Sequence, residues 1–339
     1  MSEIIGEGTY GCVSKPSIRC DDKSVASEYN NKVSKIMLNK YAVRELKELK
    51  KISKIPDIEQ FIVPFPKICK PKLDRKFHRT LKKCRNSKFP DTKLEDFRLL
   101  ILEDGGVDLD IFVKTVVPTM SMRDACIFWS KLLTLFEGLC FFHQNEIIHH
   151  DIKSLNIVYN IQSAAIKFID FGLMKSRKEM IQSSTKNINY SATTWFNYPP
   201  EYHCANKTKY LSQKCPYKME YNTFISLLTD TFDSYSFGIC FLEFINDFLE
   251  NFTSKDAIKS NALLAFLVDS AKLFQIMGTE KIEQRKGDVY QYRDQYKSIL
   301  EKHGMTKYFN MIPSPSRKMV SRATKLSFIP KKKVTLKLR

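Results

Sequence analysis

Five side chains in one stretch have the makings of a reaction centre: His149, Asp151, Lys153 and Asn156, with Asp170 close behind in an Asp-Phe-Gly triplet. Phosphoryl transfer needs such a set. One carboxylate orients an attacking hydroxyl, and an ammonium neutralises charge on the moving phosphoryl group. A carboxamide and a second carboxylate supply oxygen ligands for a hard divalent cation. The same residue types also make an ordinary polar turn. A second group of residues far upstream, in the order a nucleotide enzyme requires, argues against that blander alternative.

That group is Ile4-Ile5-Gly6-Glu7-Gly8-Thr9-Tyr10-Gly11-Cys12-Val13. It reads as an apolar strand, a glycine turn and the start of a return strand. Glycines at 6, 8 and 11 let backbone N–H groups approach phosphate oxygens with no Cβ in the way. The G-x-G-x-x-G spacing also occurs in dinucleotide-binding folds, where a helix opens at the loop. Here Val13 continues a strand pattern and Pro16 opposes an immediate long helix.

At these points the chain resembles the eukaryotic-type protein kinase family. His149-His150-Asp151-Ile152-Lys153-Ser154-Leu155-Asn156 is similar to H-R-D-L-K-x-x-N, and Asp170-Phe171-Gly172 to D-F-G. One departure is His150, which stands where the family usually has arginine. Downstream, Thr194-Trp195-Phe196-Asn197-Tyr198-Pro199-Pro200-Glu201 resembles T-x-x-Y-x-A-P-E, with Asn197 and Pro199 replacing Tyr and Ala. Asp233-Ser234-Tyr235-Ser236-Phe237-Gly238 resembles D-x-W-S-x-G at the start of a central buried helix. Arg317 fits the arginine that pairs with Glu201. The likeness runs over residues 4–320.

The resemblance implies an α+β, bilobal fold. A small β-rich N-lobe over 1–104 would carry one regulatory helix and a basic insert at 70–93. A larger, mainly helical C-lobe would span 105–320, followed by a basic tail over 321–339. The implied activity is that of a Ser/Thr protein kinase, moving the γ-phosphate of ATP to protein hydroxyls with Mg²⁺, or Mn²⁺ in its place. Asp151 would align the hydroxyl, Lys153 would neutralise charge, and Thr194 would hydrogen-bond both. Asn156 and Asp170 would hold the metal. Residues 5–13 would cover the phosphates, Lys35 would pair with Glu45 and contact them, and Glu103 would lie at the adenine-binding hinge. An arginine at position 150 would bind a phosphate on the activation segment, and His150 weakens that switch. Activity is therefore expected without phosphorylation of Ser183, Ser184, Thr185, Ser191 or Thr193. Two other readings stand against this one. A catalytically dead scaffold is opposed by the complete ligand set, and a small-molecule kinase by Lys153, Thr194, Pro200-Glu201 and Asp233. In finer detail, Gly8–Val13 followed by Lys15-Pro16-Ser17, with Leu102–Leu109 at the hinge, looks like the Ser/Thr kinases of large cytoplasmic DNA viruses. That likeness implies the host cytoplasm and the virion as locations.

Several elements must position these residues. Lys32–Met37 reads as a strand and resembles the family's third, which implies Val33 over adenine and Lys35 at the phosphates, with Lys32 as the competing lysine. From Asn39 to Ile55, apolar Ala42, Leu46, Leu49, Ile52 and Ile55 recur at helical spacing. Glu45 lies on that apolar side, where an unpaired carboxylate is costly, so it needs a partner and Lys35 is the natural one. Phe97–Glu103 is a strand running into Asp104-Gly105-Gly106. Ser121 can cap a helix whose apolar periodicity continues to His143. Ile157–Tyr159 and Ala165–Ile169 are two strands that deliver Asp170.

With 339 residues and 43% hydrophobic content, the chain has room for one two-lobed domain or two ordinary ones, and is not of a disordered composition. The longest apolar run, Phe237–Leu249, is broken by Glu243, Asn246 and Asp247 and reads as a buried helix instead of a membrane span. No apolar leader follows Met1, so a soluble, intracellular, cytoplasmic protein is expected. Nine scattered cysteines without a C-x-x-C pair suggest free buried thiols, and His203-Cys204 with Cys215 matches no standard zinc spacing. The net charge of +18 is concentrated in Lys70–Lys93 and Arg317–Arg339. Such runs suit acidic protein substrates, nucleic acid or an anionic surface, or simply make a solvated face.

Overall fold

Alternating side chains in the first hundred residues build an antiparallel sheet with both faces covered. The computed structural model describes residues 2–8, 10–22, 29, 31–86, 89, 92–185, 196–252, 261–285 and 287–313. Its first part comprises β1 (Glu3–Gly8), β2 (Gly11–Lys15), β3 (Lys32–Leu38), α1 (Asn39–Ile52), β4 (Lys67–Cys69), α2 (Arg75–Lys83) and β5 (Phe97–Glu103). The strand order is β1-β2-β3-β5-β4. On β3, Ile36 packs with Ile18, Phe77, Phe97, Leu99 and Ile101. Met37, pointing the other way, packs with Ala42 and Leu100. The period-two pattern thus assigns one face to α1 and the opposite face to α2.

The basic insert is therefore more than a loop. Asp74 caps α2 by accepting a hydrogen bond from Phe77 N at 2.9 Å, and Phe77 and Thr80 are buried against the sheet. Arg75, Arg79, Lys82 and Lys83 face solvent. The helix α1 stops at Ile52, one turn before the periodicity suggests, and Ile55 packs from the following turn.

The second part holds β6 (Val107–Asp108), α3 (Leu109–Thr115), α4 (Met122–Lys131), α5 (Leu133–Gln144), β7 (Ile147–Ile148), β8 (Ile157–Asn160), β9 (Ala165–Phe168), β10 (Lys175–Ser176), α6 (Arg177–Thr185), α7 (Lys207–Lys209), α8 (Tyr221–Asn251), α9 (Asn261–Met277) and α10 (Val289–Lys302). A β-rich part followed by a helical part is the expected α+β architecture. Ser121 caps α4 as expected, its hydroxyl accepting from Asp124 N at 3.1 Å. Together α4 and α5 are long and apolar enough to cross a membrane, but most of their surface is buried within the protein. Trp129 packs on Phe244 and Phe248, and Phe136 stacks on Tyr296 at 4.6 Å, the environment of a core helix. The β8–β9 hairpin pairs Ile157 with Phe168 and brings Asp170 beside the 149–156 loop.

Three expectations fail here. Asp233 lies well inside α8, because that helix already begins at Tyr221. The cysteines are not all free: Cys12–Cys84, Cys20–Cys69 and Cys204–Cys215 are disulfides, while Cys126, Cys140 and Cys240 are buried thiols. Partners separated by 72, 49 and 11 residues leave no local motif, so only the fold brings them together. The expectation of free thiols therefore holds only for Cys126, Cys140 and Cys240. The third failure concerns Glu201 and is described with the site.

Candidate active site

The glycine loop is the tip of the β1–β2 hairpin, where Glu7 stands opposite Cys12 and Gly8 opposite Gly11. Glycine at 11 is a packing requirement: a Cβ there would stand 2.3 Å from the Ile36 carbonyl oxygen of β3. Ile5, Gly6, Glu7, Gly8, Tyr10, Cys12 and Val13 all belong to this hairpin, and Thr9 lies outside the described residues.

Lys35 projects from β3 toward α1, and its ammonium donates to both Glu45 oxygens at 2.8 and 3.0 Å and to Asp170 Oδ1 at 3.3 Å. Burial works against this charge, yet the Asp170 and Glu45 carboxylates outweigh it and hold the lysine above its ordinary pKa. Burial pushes Glu45 up, with Lys35 opposing the shift. For Asp170 the balance reverses: Lys35 overcomes burial and keeps the carboxyl below the usual range. Lys32, at the start of β3, is ion-paired with Glu103, so of the two lysines it is Lys35 that meets Glu45 and Asp170. Glu103 ends β5 at the joint between the two parts, its carboxylate taken by Lys32. The next residue, Asp104, pairs with Lys15 and accepts from Gly106 N at 3.1 Å.

The 149–156 loop is held from below by Asp233, which accepts from His149 N at 2.6 Å and His150 N at 3.0 Å. Burial pushes the Asp233 carboxyl up to about 6, and these two amides work the other way. The His149 ring donates from Nε2 to the Ile169 carbonyl at 3.1 Å and packs on Phe171, with centroids 4.6 Å apart. It therefore braces the loop, and burial lowers its pKa from the ordinary histidine value. Asp151 receives Lys153 Nζ at 2.7 and 2.9 Å and Asn156 Nδ2 at 2.8 Å, and the same amide group bonds the Asp151 carbonyl at 2.8 Å. With Nδ2 so committed, the Asn156 oxygen is left as an acceptor. An amide oxygen and the ionised Asp170 carboxylate form the kind of donor set a hard divalent cation takes.

His150 has left-handed backbone, φ 65°, and only 5% of its surface is exposed. Its ring stacks on Phe232 at 4.6 Å, lies beside Tyr198 and Tyr202, and shares a 3.1 Å hydrogen bond with the Tyr202 hydroxyl. Burial, with Lys175 and His149 nearby, drives its pKa well below the ordinary histidine value. A caged ring with so depressed a pKa does not offer the standing positive charge that an arginine would bring to this position.

After Asp170 the chain pairs β10 with β7 and enters α6, where Arg177 grips Asp230 of α8 at 2.8 and 3.1 Å. Glu179 takes Lys51 of α1 at 2.7 Å, a link that sequence reasoning missed because neither residue belongs to a motif. Ser184 is buried, with its hydroxyl on the Met180 carbonyl. Ser191, Thr193 and Thr194 lie outside the described residues. Asn197 stands where the family motif has tyrosine, and it donates to the Ile152 carbonyl at 3.2 Å while its own carbonyl accepts from Ser236 at 2.7 Å. Glu201 does not await Arg317, which is outside the described residues. Its partner is Arg285, both side chains being fully buried, and the guanidinium rests 4.7 Å from the Tyr235 ring. Nothing near Arg285 in sequence marks this role, since the pair spans 84 residues. His203, Cys204 and Cys215 do meet in space, with the two sulfurs bonded to each other.

A β-sheet lobe bearing a glycine hairpin and a Lys–Glu pair, set over a helical lobe that presents Asp151, Asn156 and Asp170, defines a phosphotransferase class. The family model of the protein kinase domain matches residues 1–215, and this chain belongs to that family. Among curated proteins it is similar to cyclin-dependent kinase-like 2 from Rattus norvegicus, Mus musculus and Homo sapiens. Each is 27% identical over 198 residues, which is 58% of this chain and 32%, 28% and 33% of those proteins. The matched stretch thus spans about a third of the relatives' length.

Proposed function

We propose that this protein is a Ser/Thr protein kinase that uses Mg-ATP and needs no phosphate on its activation segment. The observation that carries the reading is the Asp151 carboxylate held by Lys153 and Asn156, with Lys35 linking Glu45 to Asp170. The substrate hydroxyl hydrogen-bonds Asp151 and is oriented in line with the γ-phosphorus. Its oxygen forms the new P–O bond as the bond to the ADP oxygen breaks, and the hydroxyl proton passes to Asp151. Lys153 offsets charge on the moving group. Mg²⁺, held by Asn156 and Asp170, would neutralise charge on the phosphates. The glycine hairpin and Lys35 would orient them.

Lysine at 153 favours Ser/Thr over tyrosine substrates, by the family resemblance. The caged, neutral His150 supports phosphate-independent activity. The solvent-facing lysines and arginines of α2 suit acidic substrates or another anionic partner. A peptide-library screen with phosphoamino-acid analysis tests the reading. Phosphoserine and phosphothreonine, with a preference for acidic neighbours, are expected; phosphotyrosine alone would overturn the specificity. Virion packaging and a host-cytoplasmic location belong to the same proposal and are read by immunoblotting of purified particles and infected-cell fractions.

A further inference from the structure

The insert reaches the nucleotide loop. At the C-terminal end of α2, three consecutive residues land on the glycine hairpin. Cys84 is disulfide-bonded to Cys12, Arg85 N donates to Glu7 Oε1 at 3.0 Å, and Asn86 Nδ2 donates to the Gly8 carbonyl at 2.7 Å. The other end is anchored as firmly, on the link between β2 and β3. There Lys76 Nζ bonds the Ser17 carbonyl at 3.2 Å, Asp21 N bonds Lys70 O and Lys72 N bonds Arg19 O at 2.9 Å each, and Cys20 is joined to Cys69. Between the two ends, Phe77 sits in the outer-face core. An element fixed to the sheet at one end and to the loop tip at the other restricts what the loop can do.

We propose that α2 and residues 84–86 are a tether on the glycine loop, closed by the Cys12–Cys84 disulfide and opened by a dithiol reductant. Cys84 and Asn86 are thereby positioning residues for the reaction, and the Cys12–Cys84 pair is a redox modification site. The inference rests on the kinase reading for its effect on ATP, though not for the tether itself. Opening transfers two electrons and two protons from the dithiol, leaving two protein thiols and the oxidised, cyclic reductant. Closure by a glutathione disulfide returns the protein disulfide and releases two glutathione thiols. With the tether closed, the loop is ordered before nucleotide arrives, so binding does not have to supply that ordering. With it open, the two hydrogen bonds remain and the hairpin tip moves more freely. The expected change is a rise of about tenfold in the KM for ATP, comparable to freeing roughly one residue's backbone. The turnover number changes by less than about twofold, because Asp151 and Lys153 stand on the other lobe.

The test uses the full chain, oxidised with glutathione disulfide or reduced with dithiothreitol, as wild type, Cys84→Ser, Cys69→Ser and Asn86→Ala. Two quantities are read: the KM and kcat for ATP, and hydrogen exchange at the Gly6–Val13 amides. Reduction is expected to raise KM and speed exchange in wild type and Cys69→Ser. Cys84→Ser should sit at the high value in both states. Asn86→Ala should raise KM about threefold even when oxidised, the effect of losing one hydrogen bond. A reductant response of less than twofold in wild type, or a full response in Cys84→Ser, overturns the proposal. Should Cys84→Ser fail to fold, Asn86→Ala and the wild-type pair decide alone: unchanged KM and exchange in both would sink the tether. If oxidised wild type neither binds ATP nor transfers phosphate, the kinase reading falls instead, and amide exchange, which needs no nucleotide, still decides the tether.

Discussion

Restoring the family's arginine at position 150 should damage this protein instead of giving it a switch. The His150 ring fills a cage in which Phe232 stacks at 4.6 Å with planes 16° apart, and only 5% of the residue reaches solvent. Arginine is longer and permanently charged, and Lys175 already opposes positive charge there. Overpacking costs about 1–3 kcal/mol. Leaving a buried charge without a partner costs roughly 3–5 kcal/mol. Stacking of the guanidinium on the surrounding rings returns about 1–2 kcal/mol. The net loss for His150→Arg is therefore about 2–7 kcal/mol, a fall of roughly 3–10 °C in the melting temperature of a domain this large. His150→Phe keeps the stacked ring and leaves only the Tyr202 hydroxyl without its histidine partner, for about 1–2 kcal/mol. Urea denaturation of the three proteins at one pH gives the order directly. An arginine variant as stable as the phenylalanine variant would refute the cage argument, and one that also became phosphate-dependent would refute the proposed absence of a switch.

Three further outcomes follow from the same geometry. Arg285→Ala strands the fully buried Glu201 carboxylate and should cost about 3–5 kcal/mol in urea denaturation; a loss below about 1 kcal/mol would mean the pair is not buried as described. Gly106→Ala should lower stability by roughly 2–4 kcal/mol and weaken ATP binding, since φ is +103° and a Cβ would meet the Tyr159 carbonyl oxygen at 2.1 Å. Unchanged thermal stability would contradict that. The pH dependence of stability should separate wild type from His150→Phe. Folding holds His150 neutral, so below its ordinary value of about 6.5 the unfolded chain binds the extra proton. Wild type then loses stability on acidification by up to ~1.4 kcal/mol per pH unit relative to the variant. Asp233, raised from 3.8 to about 6, acts with the opposite sign, stabilising the fold as pH falls through that window, and is common to both proteins. Parallel curves between pH 7 and 5 would contradict the assignment.

Local chemistry and periodicity made much of this site legible. The need of Glu45 for a partner follows from a carboxylate on an apolar helix face, and the Lys35 pair meets it. Lys32 and Lys35 differ by an odd number of residues, so they leave β3 on opposite faces. Which face looks inward is decided only by where α1 packs, and one strand cannot reveal that. The hairpin that delivers Asp170 was visible because β8 and β9 are short, apolar and adjacent. What stayed hidden depends on long-range meeting: Glu201 with Arg285, Lys51 with Glu179, and the three disulfides. Charge dominated the reading of 70–93, and it masked the buried stripe of Phe77 and Thr80 that makes α2 a covering helix. The early start of α8 at Tyr221 is hidden for a related reason: the Asp233 motif marks no boundary, and packing sets the helix start instead.

The central claim is that Asp151 aligns a hydroxyl for phosphoryl transfer in an enzyme that is active without a phosphate of its own. Its most direct test is the initial rate of transfer from Mg-ATP to a peptide substrate by phosphatase-treated wild type, beside Asp151→Asn at equal concentration. The account predicts robust transfer by the dephosphorylated enzyme and a loss of about 10²–10⁴-fold in the variant. Transfer by wild type no greater than by Asp151→Asn, or activity that appears only after phosphorylation, would contradict it.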